Sequence, residues 1–299
     1  MPSLLAPPDR ERTASRLLAS SEKLSYDPTV DVDWDQPWVE GRYFTSPESS
    51  TLWGTDLWDR MSEQQRIDLT RHEVAAVASA GIWFETILSR MLLKYSQRKD
   101  PRTQHVRYGL TEVGDECRHS VMFSRLLEYC DAPYYAPHRF NAALGELFTV
   151  ALADEAVAFA GTLYVEEILD ILQRRAMDDD RVQPVCQQVN TIHVVEEARH
   201  MSYAREEMAR QWGDVPRWRR ALDRNLLALV GMVTTDELIT GHVYRNVGLD
   251  VGEALAARDA NPHWRRTRHE VSRNVVGMFD ELGMTSPLSR SIWKLAHLG

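Results

Sequence analysis

The sequence predicts an all-α protein organised around a four-helix bundle. From Ser62 onward apolar residues recur at helical spacing, with no sustained period-two alternation of the kind a strand needs. Four of these segments run to roughly 30 residues, about 45 Å at 1.5 Å per residue, which is the length scale of a bundle. The pattern is absent before residue 61. Residues 1–60 hold six of the 13 prolines and four of the nine tryptophans (Trp34, Trp38, Trp53 and Trp58), with turn pairs at Asp27-Pro28 and Ser46-Pro47. That portion reads as an irregular N-terminal arm packed on a helical domain spanning 61–299.

Start and stop signals place the elements in order. The first long helix is expected to open at Ser62, with Gln65 completing a capping box, and to run to about Tyr95. The second should start at Asp100-Pro101, an N-cap side chain before a proline, and reach about Tyr129. The third covers about Ala142 to Met177. The fourth begins near Asp180, accommodates Pro184 in its first turn and stops at Gly213. Further C-terminal helices, about Trp218 to Tyr244 and one entered at Asn261-Pro262, should pack around the bundle.

Composition narrows the class. The chain has 299 residues, 43% hydrophobic and 26% charged, the balance of a folded globular protein. A net charge of -9 disfavours nucleic acid as a partner, because phosphate binding wants a basic surface. No apolar run reads as a membrane span, and Met1 to Arg12 carries prolines and charges where a signal peptide would be apolar. A cytoplasmic protein with no membrane partner is expected. Cys117, Cys130 and Cys186 are too few and too scattered for a disulfide framework or a thiolate zinc site, so they read as reduced thiols. There is no Gly-rich phosphate loop, dinucleotide fingerprint or Ser-His-Asp pattern.

The chemistry lies in a pentapeptide that occurs twice, Asp115-Glu116-Cys117-Arg118-His119 and Glu196-Glu197-Ala198-Arg199-His200. Each contains Glu-x-x-His, which on a helix stacks a carboxylate and an imidazole on one face, where they can share a metal ion. A single copy arises easily on a charged surface; two copies on separate long helices do not. Val113, Glu116, His119, Phe123 and Leu127 form one stripe, so the first pair lies on an apolar face and needs a partner once buried. A bundle carboxylate site takes one further Glu from each remaining helix. Glu85 shares a face with Ala78, Gly81, Ile82 and Leu92, whereas Glu73 falls on the opposite side. On the third helix Glu166 borders the core stripe and Glu167 faces away. His193 lies one turn before Glu197, within the same arc as His200. Other histidines, including His72 and His105, lack such spacing and are expected at the surface; Arg118 and Arg199 are expected in salt bridges. The candidate set is therefore Glu85, Glu116, His119, Glu166, His193, Glu197 and His200. Four carboxylates offset two divalent cations, and the mixed oxygen and nitrogen donors point to iron or manganese.

These residues resemble the non-haem di-iron oxygenases of the p-aminobenzoate N-oxygenase type, a ferritin-like family. The resemblance covers about residues 60–245. It rests on Trp83-Phe84-Glu85, the two pentapeptides, Tyr164-Val165-Glu166-Glu167 and the run from His193 to Met201, with His193 the most specific element. It implies a ferritin-like bundle in which all seven positions bind two iron ions, with dioxygen as co-substrate. The implied reaction oxidises a primary aromatic amine on nitrogen to a hydroxylamine, nitroso or nitro product, with electrons from an external donor. A homodimer is the expected assembly. The ligands alone leave two other readings open: a di-iron hydroxylase or desaturase acting on carbon, and a ferritin-like iron-handling protein.

Overall fold

A computed structural model describes residues 9–149 and 155–299. The arm carries α1 (Arg10–Lys23), a 3-10 turn at Pro47–Ser49 and α2 (Asp56–Arg60). The bundle helices follow as α3 (Glu63–Ser96), α4 (Gln104–Tyr129), the short α5 (Arg139–Leu147), α6 (Glu155–Met177) and α7 (Pro184–Trp212). Around them lie α8 (Arg217–Glu237), α9 (Gly241–Asn246), α10 (Val251–Ala260), α11 (Pro262–Glu281) and α12 (Pro287–Leu295). No strand occurs among the described residues. A single bridge between Tyr43 and Val182 ties the arm to the α6–α7 connection.

The bundle is two antiparallel hairpins, α3 with α4 and α6 with α7, which face each other through α4 against α7 and α3 against α6. Large side chains such as Leu69, Leu92, Met122, Leu163 and Ile168 are buried between them. Helix α11 packs on α6, and α12 packs on α8, where Gly231 leaves room for Trp293: a Cβ there would lie 2.2 Å from the indole. Apolar windows within Glu63–Ser96 and Arg217–Asn246 are long enough to cross a membrane by length and composition, contrary to the sequence expectation; 44% and 47% of them are buried inside the protein. The cysteines are unpaired thiols.

Several boundaries follow their local signals. Ser62 accepts from Gln65 N at 3.2 Å while Ser62 N donates to Gln65 Oε1 at 3.0 Å, the reciprocal capping box. Pro184 takes the first position of α7, and Asn261 caps α11 through His263 N at 2.9 Å. The start of α4 differs. Asp100 closes a turn by accepting from Arg102 N at 3.0 Å, and the helix begins at Gln104, whose N–H donates to Glu11 of α1 at 2.6 Å. The cap comes from another element, which local spacing does not encode. The expected third helix is found as α5 and α6, with positions 150–154 outside the described residues. The expected helix to Tyr244 stops at Glu237, and α9 restarts after an extended Thr240.

The arm is less irregular than its prolines suggest, because α1 is a 14-residue helix lying across α4 and α7. Arg10 pairs with Glu207 and donates to Tyr95 Oη at 2.9 Å. Farther along, Tyr26 N donates to Glu196 Oε1 at 3.1 Å, so the arm touches the first residue of the second pentapeptide.

Candidate metal centre

The seven candidate residues converge at the middle of the bundle. Glu85 comes from α3, Glu116 and His119 from α4, Glu166 from α6, and His193, Glu197 and His200 from α7. Donor atoms fall into three overlapping groups, each within 4.8 Å: Glu85, His119, His193 and Glu197; Glu116, His119, Glu197 and His200; and Glu85, Glu116 and Glu166. All seven are buried; Glu116, His119, His193, Glu197 and His200 are fully so. The helical stacking of Glu and His is realised at both pentapeptides: His119 Nδ1 lies 3.2 Å from Glu116, and His200 Nδ1 lies 3.1 Å from Glu197.

Each imidazole is held by a partner outside the set. His119 Nε2 is 2.8 Å from Glu196, His200 Nε2 is 3.2 Å from Asp115, and His193 Nδ1 is 2.8 Å from Gln173 Oε1. With those nitrogens protonated and donating, His119 and His200 present Nδ1 to the cluster and His193 presents Nε2. The carboxylate partners are crossed, since the leading acid of each pentapeptide holds the histidine of the other. Asp115, Glu196 and Gln173 were not singled out from sequence. The acid before each Glu was visible in the motif, but its crossed pairing exists only once α4 and α7 meet. Arg118 pairs with Asp115, and Arg199 reaches Glu196 at 3.5 Å and Asp115 at 3.8 Å, the salt bridges expected of them.

Electrostatics show what this cluster lacks. Burial and the adjacent Glu116 push the Glu85 carboxyl well above the ordinary range; burial with Glu197 and Glu116 does the same to Glu166. Burial would raise Glu197 too, yet the neighbouring His200 and His193 hold it well below. His119 shows the same contest with opposite sign: burial disfavours its charge, and hydrogen bonds to Glu116, Glu196 and Glu197 raise it well above the usual imidazole value. Burial dominates at His193, which is lowered to about 4. Glu85 Oε2 and Glu166 Oε2 are buried with no hydrogen-bond partner. Orphaned carboxylate oxygens beside oriented imidazole nitrogens are what two divalent cations would satisfy, so the residues fit a di-metal centre.

Two of the remaining histidines depart from the surface expectation, while His138, His269 and His297 are exposed as expected. His72 and His105 are buried, not superficial: His72 Nδ1 lies 2.7 Å from Tyr135 Oη and His105 pairs with Glu11. His242, on α9, is exposed. Beside the cluster an apolar cavity of about 870 Å³, counting its mouth, opens between α3, α5, α6 and α8, with Glu166 in its wall.

A protein-family model described as P-aminobenzoate N-oxygenase AurF matches residues 7–283. The chain belongs to that family. Family membership makes it a di-metal oxygenase, with a helical scaffold of the ferritin-like kind. Uncharacterized proteins of Mycobacterium tuberculosis (strain CDC 1551 / Oshkosh) and Mycobacterium bovis (strain ATCC BAA-935 / AF2122/97) are each 25% identical over 301 residues, covering 94% of this chain and 85% of theirs. Among solved structures, a variant of an R2-like ligand-binding oxidase with an aerobically reconstituted Mn/Fe cofactor aligns at TM-score 0.51 and 14% identity, covering 93% of both chains. A second variant with an anaerobically reconstituted Mn/Fe cofactor gives 0.50 and 15%, again with 93% of both chains covered. These likenesses are of fold.

Proposed function

We propose that this AurF-family oxygenase oxidises a primary aromatic amine on nitrogen, using dioxygen and electrons from an external donor, with Glu85, Glu116, His119, Glu166, His193, Glu197 and His200 as ligands to two irons. The observation that carries the reading is His193: a third imidazole, one turn before the second Glu-x-x-His, aimed into the cluster by Gln173. When bound, the metal pair supplies the redox chemistry that activates dioxygen.

The chain's own residues do the positioning. Glu196, Asp115 and Gln173 lock the three imidazoles, so the donor nitrogens are aimed before metal arrives. Glu85, Glu116 and Glu197 each belong to more than one donor group and would be the carboxylates available to both metals. Glu166 faces the apolar cavity, where a substrate would lie against the metal pair with water excluded. The absence of a dinucleotide fingerprint in the sequence supports a separate electron donor, and a cytoplasmic homodimer is the assembly we expect.

Two measurements test this. Protein reconstituted with Fe(II) should hold two irons per chain by elemental analysis. Reduced protein given labelled dioxygen and an arylamine panel should place label on nitrogen by mass spectrometry. One iron at saturation, or label on carbon alone, would overturn the reading.

A further inference from the structure

The cavity beside Glu166 defines the charge of what it accepts. Its described lining is aromatic and aliphatic, with Trp83 and Leu88 of α3, Leu144 of α5, Val165 of α6 and Leu229 of α8. Among the described lining residues there is no lysine, arginine or histidine; Glu166, Asn141, Thr162 and Thr234 are the polar members. Lys94 lines a neighbouring depression past Leu88 and Met91, where its ammonium donates to the Thr149 carbonyl at 3.3 Å. A carboxylate bound in the cavity would lose its water and meet no cationic side chain, while four protein carboxylates already offset the two metal charges.

One polar group is poised for a neutral contact. Thr162, one helical turn before Glu166, is 5% exposed, and its hydroxyl has no hydrogen-bond partner. A buried hydroxyl without a partner is costly unless a ligand supplies one. At Gly161, an added Cβ would sit in ordinary contact, 3.8 Å from Phe148 and 3.9 Å from Val230, so a longer side chain there would grow into the cavity without displacing backbone.

We propose that this chain takes an uncharged arylamine with an apolar body, its nitrogen hydrogen-bonded to Thr162 beside Glu166, and that it discriminates against carboxylate-bearing amines such as p-aminobenzoate. The part concerning nitrogen rests on the N-oxygenation reading; the part concerning charge rests on the cavity alone.

The test is calorimetric binding to Fe(II)-loaded protein kept free of oxygen, so that no turnover intervenes. Para-butylaniline should bind at least about 100-fold more tightly than p-aminobenzoate, the factor expected when a carboxylate is buried unpaired. Equal or tighter binding of p-aminobenzoate, or no binding of para-butylaniline, overturns the proposal. Gly161→Leu should abolish para-butylaniline binding with iron content unchanged; retained binding would place the ligand elsewhere and overturn it. Thr162→Val should weaken para-butylaniline roughly fivefold, the cost of one neutral hydrogen bond, and leave para-butyltoluene unaffected. Equal effects on both would remove the hydroxyl contact. Tight binding of para-butylaniline followed by oxygen transfer to carbon would overturn N-oxygenation and leave the charge inference standing. Nitrogen oxidation of a tightly bound p-aminobenzoate would do the reverse.

Discussion

The two hairpins of the bundle repeat one pattern of candidate ligands in opposite surroundings. Glu85, Glu116 and His119 of α3–α4 correspond to Glu166, Glu197 and His200 of α6–α7, and the crossed partners Asp115 and Glu196 correspond as well. One turn away the halves diverge. Four residues before the hairpin's first Glu stands Gly81 in one and Thr162 in the other; four before the shared Glu stand Glu112 and His193. A Cβ at Gly81 would lie 2.9 Å from the Phe123 ring, so its absence lets that ring pack in, with its centroid 4.9 Å from the His193 ring. The α6–α7 half instead has the unpartnered Thr162 hydroxyl and Glu166 in the wall of the apolar cavity, which Glu85 does not line. A repeated motif thus places the candidate donors, and its neighbours decide which of the two Glu residues lines the apolar cavity.

The largest expected effect comes from removing a carboxylate that both halves share. Glu197 belongs to two donor groups and Glu166 to one. Glu197→Ala should leave protein that retains no iron after desalting, while Glu166→Ala should keep one iron per chain; elemental analysis separates them. Equal losses would mean that the halves are not organised around a shared bridge.

A buried carboxylate of α3 that lies outside the cluster supplies the reference for burial without a metal. Glu73 is 4% exposed, and Thr51 donates to Oε1 through its amide at 2.9 Å and its hydroxyl at 2.6 Å. Burial outweighs those hydrogen bonds and pushes its carboxyl up to about 7. Because the folded value lies above the unfolded one, the stabilising protonation is fully present below the unfolded pKa. It is lost as pH rises through about 7, a change on the order of 3 kcal/mol. Denaturant titrations of Glu73→Gln beside the parent protein should show the parent losing that increment between about pH 5 and pH 8 and the variant not. A parallel pH dependence in the two would mean that Glu73 ionises normally.

How much of this was legible beforehand depended on the range of the interaction. The donor set could be read because the i,i+3 and i,i+4 relations are properties of one helix, so Glu116 with His119 and His193 with Glu197 needed no tertiary knowledge. Caps made within one segment, at Ser62 and Asn261, were readable for the same reason. What escaped was made between elements. Glu11 of α1 caps α4, Asp115 crosses to His200, and His72 and His105 are buried by Tyr135 and Glu11, not by any spacing of their own.

The crossed carboxylates give a smaller, symmetric effect. Asp115→Asn and Glu196→Gln each keep a hydrogen-bonding group of similar size but remove the charge behind an imidazole. Iron affinity, measured by chelator competition, should fall 10- to 100-fold in either variant. A fall in only one would show that one metal depends on its second-layer carboxylate more than the other, extending the asymmetry from the pocket to the ligands.

The smallest effect is expected at Glu112, the α4 counterpart of His193. Both its oxygens are buried without a hydrogen-bond partner, and it belongs to none of the three donor groups. Burial raises its carboxyl well above the ordinary range, with His200 acting in the opposite direction. Glu112→Gln replaces that acid with a neutral group of nearly the same shape. Iron content should stay at two per chain, and stability should shift by no more than roughly 1 kcal/mol, the scale of a substitution that creates no cavity and strands no charge. His193→Ala, by contrast, should keep the helical fold, lower iron affinity and suppress product. Measuring iron content and thermal unfolding on both variants decides whether the register equivalence extends to function. If Glu112→Gln sheds a metal as readily as His193→Ala, the carboxylate is a ligand, and the two hairpins are symmetric at this position.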